Sequence, residues 1–140
     1  MTVVVDANLL IVLALDQRRA PAVEERLKVW HEAGESLHAP ALLPYEVASA
    51  LTRAAAAGQL QAGDVPAAWR AATGLPVVLH QLDSGPEAVA LALRLNRRSA
   101  YDAAYVFLAQ SLGADLWTLD GPLARNAAAL GLPVQLVEAS

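Results

Sequence analysis

Short apolar runs rich in β-branched residues alternate along this chain with longer segments in which apolar residues recur every three or four positions. The runs predict buried strands, and the longer spacing predicts amphipathic helices. Glycine and proline mark most boundaries between these segments. The pattern predicts strands over residues 3–5, 37–39, 77–82, 116–119 and 134–137, and helices over 7–15, 22–33, 43–57, 65–72, 87–95, 100–112 and 123–130.

The alternation of strands and helices predicts the fold class. Strands joined by helices form right-handed βαβ units, and these build a parallel sheet that helices cover on both faces. We therefore predict an α/β fold with a central parallel sheet of about five short strands. The chain has 140 residues, close to the usual size of one domain, so we expect a single domain over 1–140.

Composition and charge narrow the chemistry. The absence of cysteine excludes disulfides, thiolate metal sites and thiol nucleophiles. A formal net charge of −4 argues against a nonspecific nucleic-acid surface, unless the negative charge is concentrated at one metal site. The sequence has no basic segment followed by an apolar run at its start and no uncharged stretch of membrane-spanning length. We therefore expect no signal peptide, no membrane segment and a cytoplasmic location.

Acidic residues fall where a parallel sheet places its ligands, outside the carboxyl ends of the strands. Asp6 directly follows the strand 3–5, and Asp120 directly follows the strand 116–119. Asp102 lies at the start of the helix 100–112, on a face shared with apolar residues. Glu46 borders the apolar stripe of the helix 43–57, where a carboxylate is desolvated unless it is paired or binds a cation.

Each of these acids also has a structural interpretation. Asp6, Asp102 and Asp120 could cap helices, with Ser99 as a rival cap for Asp102, and Glu46 could pair with Arg53. Asp83 ends another strand-like run and competes for a place in the site.

A common site for these acids would require a cation, because neighbouring carboxylates repel one another. Mg²⁺ and Mn²⁺ prefer oxygen ligands, and either ion can activate water for attack on a phosphodiester.

Four segments together resemble the motifs of the PIN-domain family, in the family order and over almost the whole chain. They are Val-Val-Val-Asp-Ala-Asn (3–8), Tyr-Glu-Val (45–47), Ala-Tyr-Asp-Ala-Ala-Tyr (100–105) and Trp-Thr-Leu-Asp (117–120). The resemblance implies a three-layer α/β/α sandwich that binds Mg²⁺ or Mn²⁺ and cleaves RNA. It implies that the four acids, Asp6, Glu46, Asp102 and Asp120, are metal ligands or position water. It also implies that Asn8 supports the first acid and Thr118 the last.

The single-domain size looks like that of VapC-type toxins, the ribonucleases of type II toxin–antitoxin systems. This resemblance implies an antitoxin protein as partner and a homodimer. Arg94, Arg97 and Arg98 form the densest basic group and are candidate contacts to RNA phosphates, although a solvated helix end favoured by the helix dipole explains them slightly better.

Two other functions compete with the ribonuclease. One is a catalytically silent binding module whose acids pair with arginines of a protein partner. The other is a phosphohydrolase for small phosphate esters, against which the Asp-Ala-Asn (6–8) segment argues because it lacks an Asp-x-Asp nucleophile motif. The histidines have no zinc-type spacing, and the tryptophans, Trp30, Trp69 and Trp117, are expected in the core.

Overall fold

The computed structural model describes residues 1–97 and 99–139. Every predicted strand and helix forms, with boundaries within two residues of those expected, and a short 3₁₀-helix at Ala62–Asp64 is added. The elements are β1 (Thr2–Val5), α1 (Ala7–Leu15), α2 (Ala20–Glu32), β2 (Ser36–Pro40), α3 (Leu43–Ala56), α4 (Val65–Thr73), β3 (Val77–His80), α5 (Gly85–Arg94), α6 (Tyr101–Leu112), β4 (Asp115–Thr118), α7 (Gly121–Ala129) and β5 (Val134–Leu136). Across the described ranges, no helix is long and apolar enough to cross a membrane.

The strands form one parallel sheet in the order β3-β2-β1-β4-β5. The apolar run Val3–Val5 belongs to β1, which occupies the centre of the sheet and is buried. A continuous apolar run is typical of a parallel strand covered on both faces, which explains why the sequence identified this strand.

Two apolar clusters pack on opposite faces of the sheet, because successive side chains of a strand point to opposite sides. Val4 and its register partner Leu116 lie in the cluster that includes side chains of α5 and α6. Val3 and Val5 lie in the other cluster, which contains Trp30 of α2. The fold is therefore the three-layer α/β/α sandwich that was predicted.

The tryptophans only partly follow the core prediction. Trp30 is buried, and Trp117 packs against it edge to face with ring centroids 5.6 Å apart. Trp69 is exposed, so its placement in the core was wrong. The reason is that α4 buries its small residues, Ala68 and Ala72, and the larger indole lies beside this buried stripe, partly in solvent.

The register of β1 and β4 positions the functional end of the sheet. Val5 pairs with Trp117, and the backbone N–H of Asp6 donates to the carbonyl oxygen of Trp117 over 3.1 Å. The residues that follow these two strands therefore emerge side by side, at the carboxyl edge where ligands of parallel sheets bind.

Candidate active site

Asp6 is the deepest acid of the site, with 7% of its surface exposed. Its Oδ2 accepts hydrogen bonds from the Thr118 hydroxyl at 2.7 Å and from Nδ2 of Asn8 at 3.2 Å. Asp6 occupies the N-cap position of α1, but its side chain makes no capping hydrogen bond to the described part of the chain. The capping interpretation of Asp6 was therefore wrong, and its carboxylate is held toward the strand ends instead.

Thr118 joins the ends of β1 and β4 through one buried hydroxyl. Besides donating to Asp6, its Oγ1 accepts from the backbone N–H of Asp120 at 3.0 Å and from Nδ2 of Asn8 at 3.2 Å. Asn8 completes this connection, because its Oδ1 accepts from the N–H of Leu119 at 3.3 Å. These bonds place Asn8 and Thr118 beside the first and last acids of the sequence.

Glu46 lies in the first turn of α3 and is half-buried. Its Oε1 accepts a 2.6 Å hydrogen bond from the hydroxyl of Tyr105, a buried residue of α6. Within the described ranges no salt bridge joins Glu46 to Arg53, so that pairing was wrong. Tyr105 belongs to the apolar face that the sequence predicts for the helix 100–112, and its bond to Glu46 was not predicted, although a buried tyrosine hydroxyl requires a polar partner.

Asp102 and Asp120 face the same cation, Arg97. Nη1 of Arg97 lies 3.1 Å from Oδ2 of Asp102, and Nη2 lies 3.4 Å from Oδ2 of Asp120. Asp120 also caps α7, since its Oδ1 accepts from the N–H of Leu123 at 3.0 Å. Asp102 lies inside the first turn of α6, whose N-cap is Ala100, so the capping interpretation was wrong for Asp102 and right for Asp120.

The electrostatics of the site show that these acids influence one another. Burial raises the pKa of Asp6 to about 7; the Thr118 hydrogen bond opposes this shift, and the charges of Asp102 and Glu46 add to it. Burial also raises the pKa of Glu46. The hydrogen bond from Tyr105 lowers this pKa, and the charge of Asp102 raises it further. For Asp102, burial raises the pKa, Arg97 lowers it and Asp120 raises it. The four carboxyl groups therefore form one interacting acidic site.

The match to known proteins extends over nearly the whole chain. Residues 3–129 match the PIN domain family. The chain belongs to the PIN-domain family. This PIN domain is 40% identical over 127 residues to Ribonuclease VapC3 of Mycobacterium tuberculosis, covering 88% of this chain and 85% of the relative. It is 33% identical over 137 residues to Ribonuclease VapC3 of Pyrobaculum aerophilum, covering 95% of this chain and 100% of that one.

The fold comparison agrees with the sequence comparison. The PIN domain superposes on the crystal structure of PAE2754 from Pyrobaculum aerophilum with a TM-score of 0.67 and 24% identity. The superposition covers 90% of this chain and 79% of the other. At this identity the likeness supports the three-layer fold alone.

The donor chemistry of the acidic site fits a hard divalent cation. All four acids offer carboxylate oxygens, the ligands that Mg²⁺ and Mn²⁺ prefer. The raised pKa values of Asp6, Glu46 and Asp102 show that negative charge is unfavourable here, and a bound cation would stabilise it. Over residues 1–97 and 99–139, no three acids or histidines stand close enough to form a ready-made ligand set. Side chains of this PIN domain would therefore have to move together around a cation.

The other sequence candidates lie in different surroundings. Arg94 is exposed at the end of α5, Arg97 points into the acidic site rather than into solvent, and Arg98 lies outside the described residues. Asp83 is exposed after β3 and borders a mainly apolar cavity of about 320 Å³. It is not among the groups that shift the pKa values of Asp6, Glu46 and Asp102.

A histidine pair was not expected from the sequence. Nδ1 of His38 lies 2.8 Å from Nε2 of His80, although 42 residues separate them. The two imidazoles meet because β2 and β3 are neighbouring strands. Local spacing could not reveal this contact.

Proposed function

We propose that this PIN domain is a Mg²⁺- or Mn²⁺-dependent endoribonuclease that hydrolyses RNA phosphodiester bonds. The observation that carries the proposal is the convergence of Asp6, Glu46, Asp102 and Asp120, from separate parts of the chain, into one interacting acidic site at the strand ends. The names of the relatives, Ribonuclease VapC3, support the same reaction class.

The residues of the site would have different roles in hydrolysis. Asp6, Glu46, Asp102 and Asp120 would hold the cation, and when bound it would activate water and stabilise the leaving oxygen. Thr118 and Asn8 fix the carboxylate of Asp6, and Tyr105 fixes that of Glu46. Burial raises the pKa of Asp6 and Glu46 in the cation-free site, and a bound cation would stabilise their charged forms as ligands.

We further propose that the protein is the toxin of a toxin–antitoxin pair, acting in the cytoplasm as a homodimer and inhibited by an antitoxin protein. The relatives named VapC3 support this assignment. A cavity of about 560 Å³ adjoins Glu46, and its lining combines Ile11, Leu42, Tyr45 and Tyr101 with the polar side chains of Ser49 and Arg53. Both tyrosines are strongly exposed in the single chain, which favours a protein surface over this region.

One observation favours a second candidate, the catalytically silent binding module. Arg97 already neutralises part of the charge of Asp102 and Asp120, so the acidic site can exist without a cation. A silent module would keep this arrangement and hold its partner in the presence of a chelator.

Thermal unfolding separates the two functions before any RNA is chosen. The native protein, Asp102→Asn and the off-site control Asp83→Asn are unfolded with Mn²⁺ and with EDTA. A cation at a hundred times its Kd stabilises the folded state by about 2.7 kcal/mol. We expect this rise in the native protein and in Asp83→Asn, and its loss in Asp102→Asn.

Cleavage of an RNA panel then tests the reaction itself. We expect Mn²⁺-dependent cleavage by the native protein and none by folded Asp102→Asn. Equal cleavage by both proteins would overturn the proposed site. An absence of any Mn²⁺ effect on unfolding would favour the binding module.

A further inference from the structure

The end of α5 fixes the position of Arg97. Asn96 adopts a left-handed conformation with φ 57°, and the N–H of Asn96 donates to the carbonyl of Leu93 over 3.1 Å. The N–H of Arg97 donates to the carbonyl of Ala92 over 2.9 Å. These two bonds form a Schellman motif, which ends the helix and sets the direction of the chain that follows. The backbone of Arg97 is therefore anchored next to the acidic site.

The guanidinium of Arg97 bridges two acids that come from different elements. It reaches Oδ2 of Asp102 on α6 at 3.1 Å and Oδ2 of Asp120, the cap of α7, at 3.4 Å. Only 23% of the Arg97 side chain is exposed. Asp102 and Asp120 therefore share Arg97 as a positively charged partner within the site.

The bridge is incompletely hydrogen-bonded. Nη2 of Arg97 is buried, yet it has no hydrogen-bond partner of good geometry in the described part of the chain. A buried donor of a charged group that lacks an acceptor carries a desolvation penalty. The charges of Asp102 and Asp120, rather than a complete set of hydrogen bonds, therefore hold Arg97 in place, and a stronger charge could replace it.

We propose that Arg97 is an internal counter-ion of the acidic site, which a divalent cation must displace from Asp102 and Asp120 in order to bind. This inference rests on the metal site of the proposed function. The two Oδ2 atoms that face Arg97 are carboxylate oxygens that a cation would need, and two positive charges at one pair of oxygens repel each other. Arg97 thereby sets how much free cation is needed to load the site.

A purely structural role for Arg97 makes a different prediction. If the bridge only held the start of α6 against α7, its loss would loosen the carboxylates and weaken cation binding. If Arg97 competes with the cation, its loss strengthens binding while the cation-free protein becomes less stable.

The experiment measures the Mn²⁺ affinity of the full chain by isothermal titration calorimetry at one pH and ionic strength. The variants are Arg97→Gln, Asp102→Asn and Arg125→Gln. Arg125 is exposed on α7, so Arg125→Gln removes one positive charge near the site and controls for the long-range field. Thermal unfolding in EDTA is measured for each protein alongside.

We expect Arg97→Gln to bind Mn²⁺ about tenfold tighter than the native protein, in line with the loss of one competing charged contact. Arg125→Gln should stay within about twofold of the native protein, since a solvated charge is screened. In EDTA, Arg97→Gln should unfold a few degrees lower than Arg125→Gln.

Affinity of Arg97→Gln equal to or below that of Arg125→Gln, with binding abolished in Asp102→Asn, would overturn the counter-ion and leave the metal site standing. Failure of both the native protein and Arg97→Gln to bind Mn²⁺ would overturn the metal site and this inference together. If Arg97→Gln does not fold, Arg97→Lys is measured. Lysine keeps the charge but cannot span both acids in the fork geometry of arginine, so an affinity above that of the native protein is again expected.

Discussion

The hydroxyl of Tyr105 donates a 2.6 Å hydrogen bond to Oε1 of Glu46 and so ties the centre of α6 to the first turn of α3. Tyr105 is 1% exposed, and Glu46 is half-buried. The bond offsets part of the effect of burial on the pKa of Glu46. It is therefore a contact that both stabilises the fold and orients an acid of the proposed active site.

Replacing Tyr105 by Phe should lower the free energy of unfolding by about 1.5–3 kcal/mol, the range for a hydrogen bond to a charged group. Cleavage should fall about tenfold, because an outer partner of a metal-binding carboxylate fixes its orientation. Urea unfolding and an Mn²⁺-dependent cleavage assay measure the two effects. Tyr45→Phe is the matched control, since Tyr45 is 77% exposed. Equal behaviour of the two variants would contradict the role given to the bond.

Thr118→Val should destabilise the protein more than Thr118→Ser. The Thr118 hydroxyl contacts Asp6, Asn8 and the N–H of Asp120, and valine keeps the shape but leaves these groups without their partner. We expect a loss of about 2–3 kcal/mol for valine, the range for buried groups left unsatisfied. Serine keeps the hydroxyl and loses one methyl group, for about 1 kcal/mol. Urea unfolding of both variants tests the order, and a greater loss with serine would refute it.

The pH dependence of stability should carry a contribution from Asp6. Its pKa in the folded protein is about 7, above the ordinary value of 3.8, so the folded state retains a proton that the unfolded state releases. The stability from this group is full below about pH 4 and is lost as the pH rises through 7. In chelator, Asp6→Asn should therefore gain stability relative to the native protein between pH 5 and pH 8, by up to about 1.4 kcal/mol per pH unit.

Thermal unfolding of the native protein and Asp6→Asn across that range measures this difference. Parallel profiles would show that Asp6 ionises normally. At pH 8, saturating Mn²⁺ should make the native protein more stable than Asp6→Asn. The charged carboxylate of Asp6 then binds the cation, and the neutral amide of asparagine binds it less well.

The His38–His80 pair should produce the opposite trend at lower pH. Burial, the charge of His80 and the N-terminal amine lower the pKa of His38 below its ordinary value of 6.5. A histidine whose pKa is lower in the folded than in the unfolded protein contributes to stability at pH values above the unfolded pKa. This contribution is lost as the pH falls below about 6.5. The native protein should thus lose more stability than His38→Gln between pH 7.5 and pH 5.5. His31→Gln, which changes an exposed histidine of α2, is the control, and an identical loss in all three proteins would disprove the coupling.

Much of the fold followed from the sequence because strand and helix periods are local. The run Val3–Val5 reads as a buried strand from its own residues, and its last residue necessarily places Asp6 at the carboxyl end of β1. The same reasoning placed Asp120 after β4. Glycine likewise marked a helix end, since Gly113 takes the left-handed conformation that closes α6.

The partners of the side chains did not follow from the sequence. Trp69 occupies an apolar pattern like that of Trp30, yet only the packing of α4 decides that it faces outward. The sequence did not distinguish Arg97 from a solvated residue at the end of a helix. Only the structure shows that the turn after α5 places it beside Asp102 and Asp120.

The sequence by itself determined the elements, their parallel arrangement and the positions of the four acids along the chain. The strand order β3-β2-β1-β4-β5 and the hydrogen bond between Tyr105 of α6 and Glu46 of α3 were decided only by the tertiary structure. The physical reason is the distance along the sequence over which each effect acts. Backbone conformation depends on residues within a few positions. Burial depends on distant segments that exclude water from the same place, and only then is a pKa raised or a hydrogen-bond partner required.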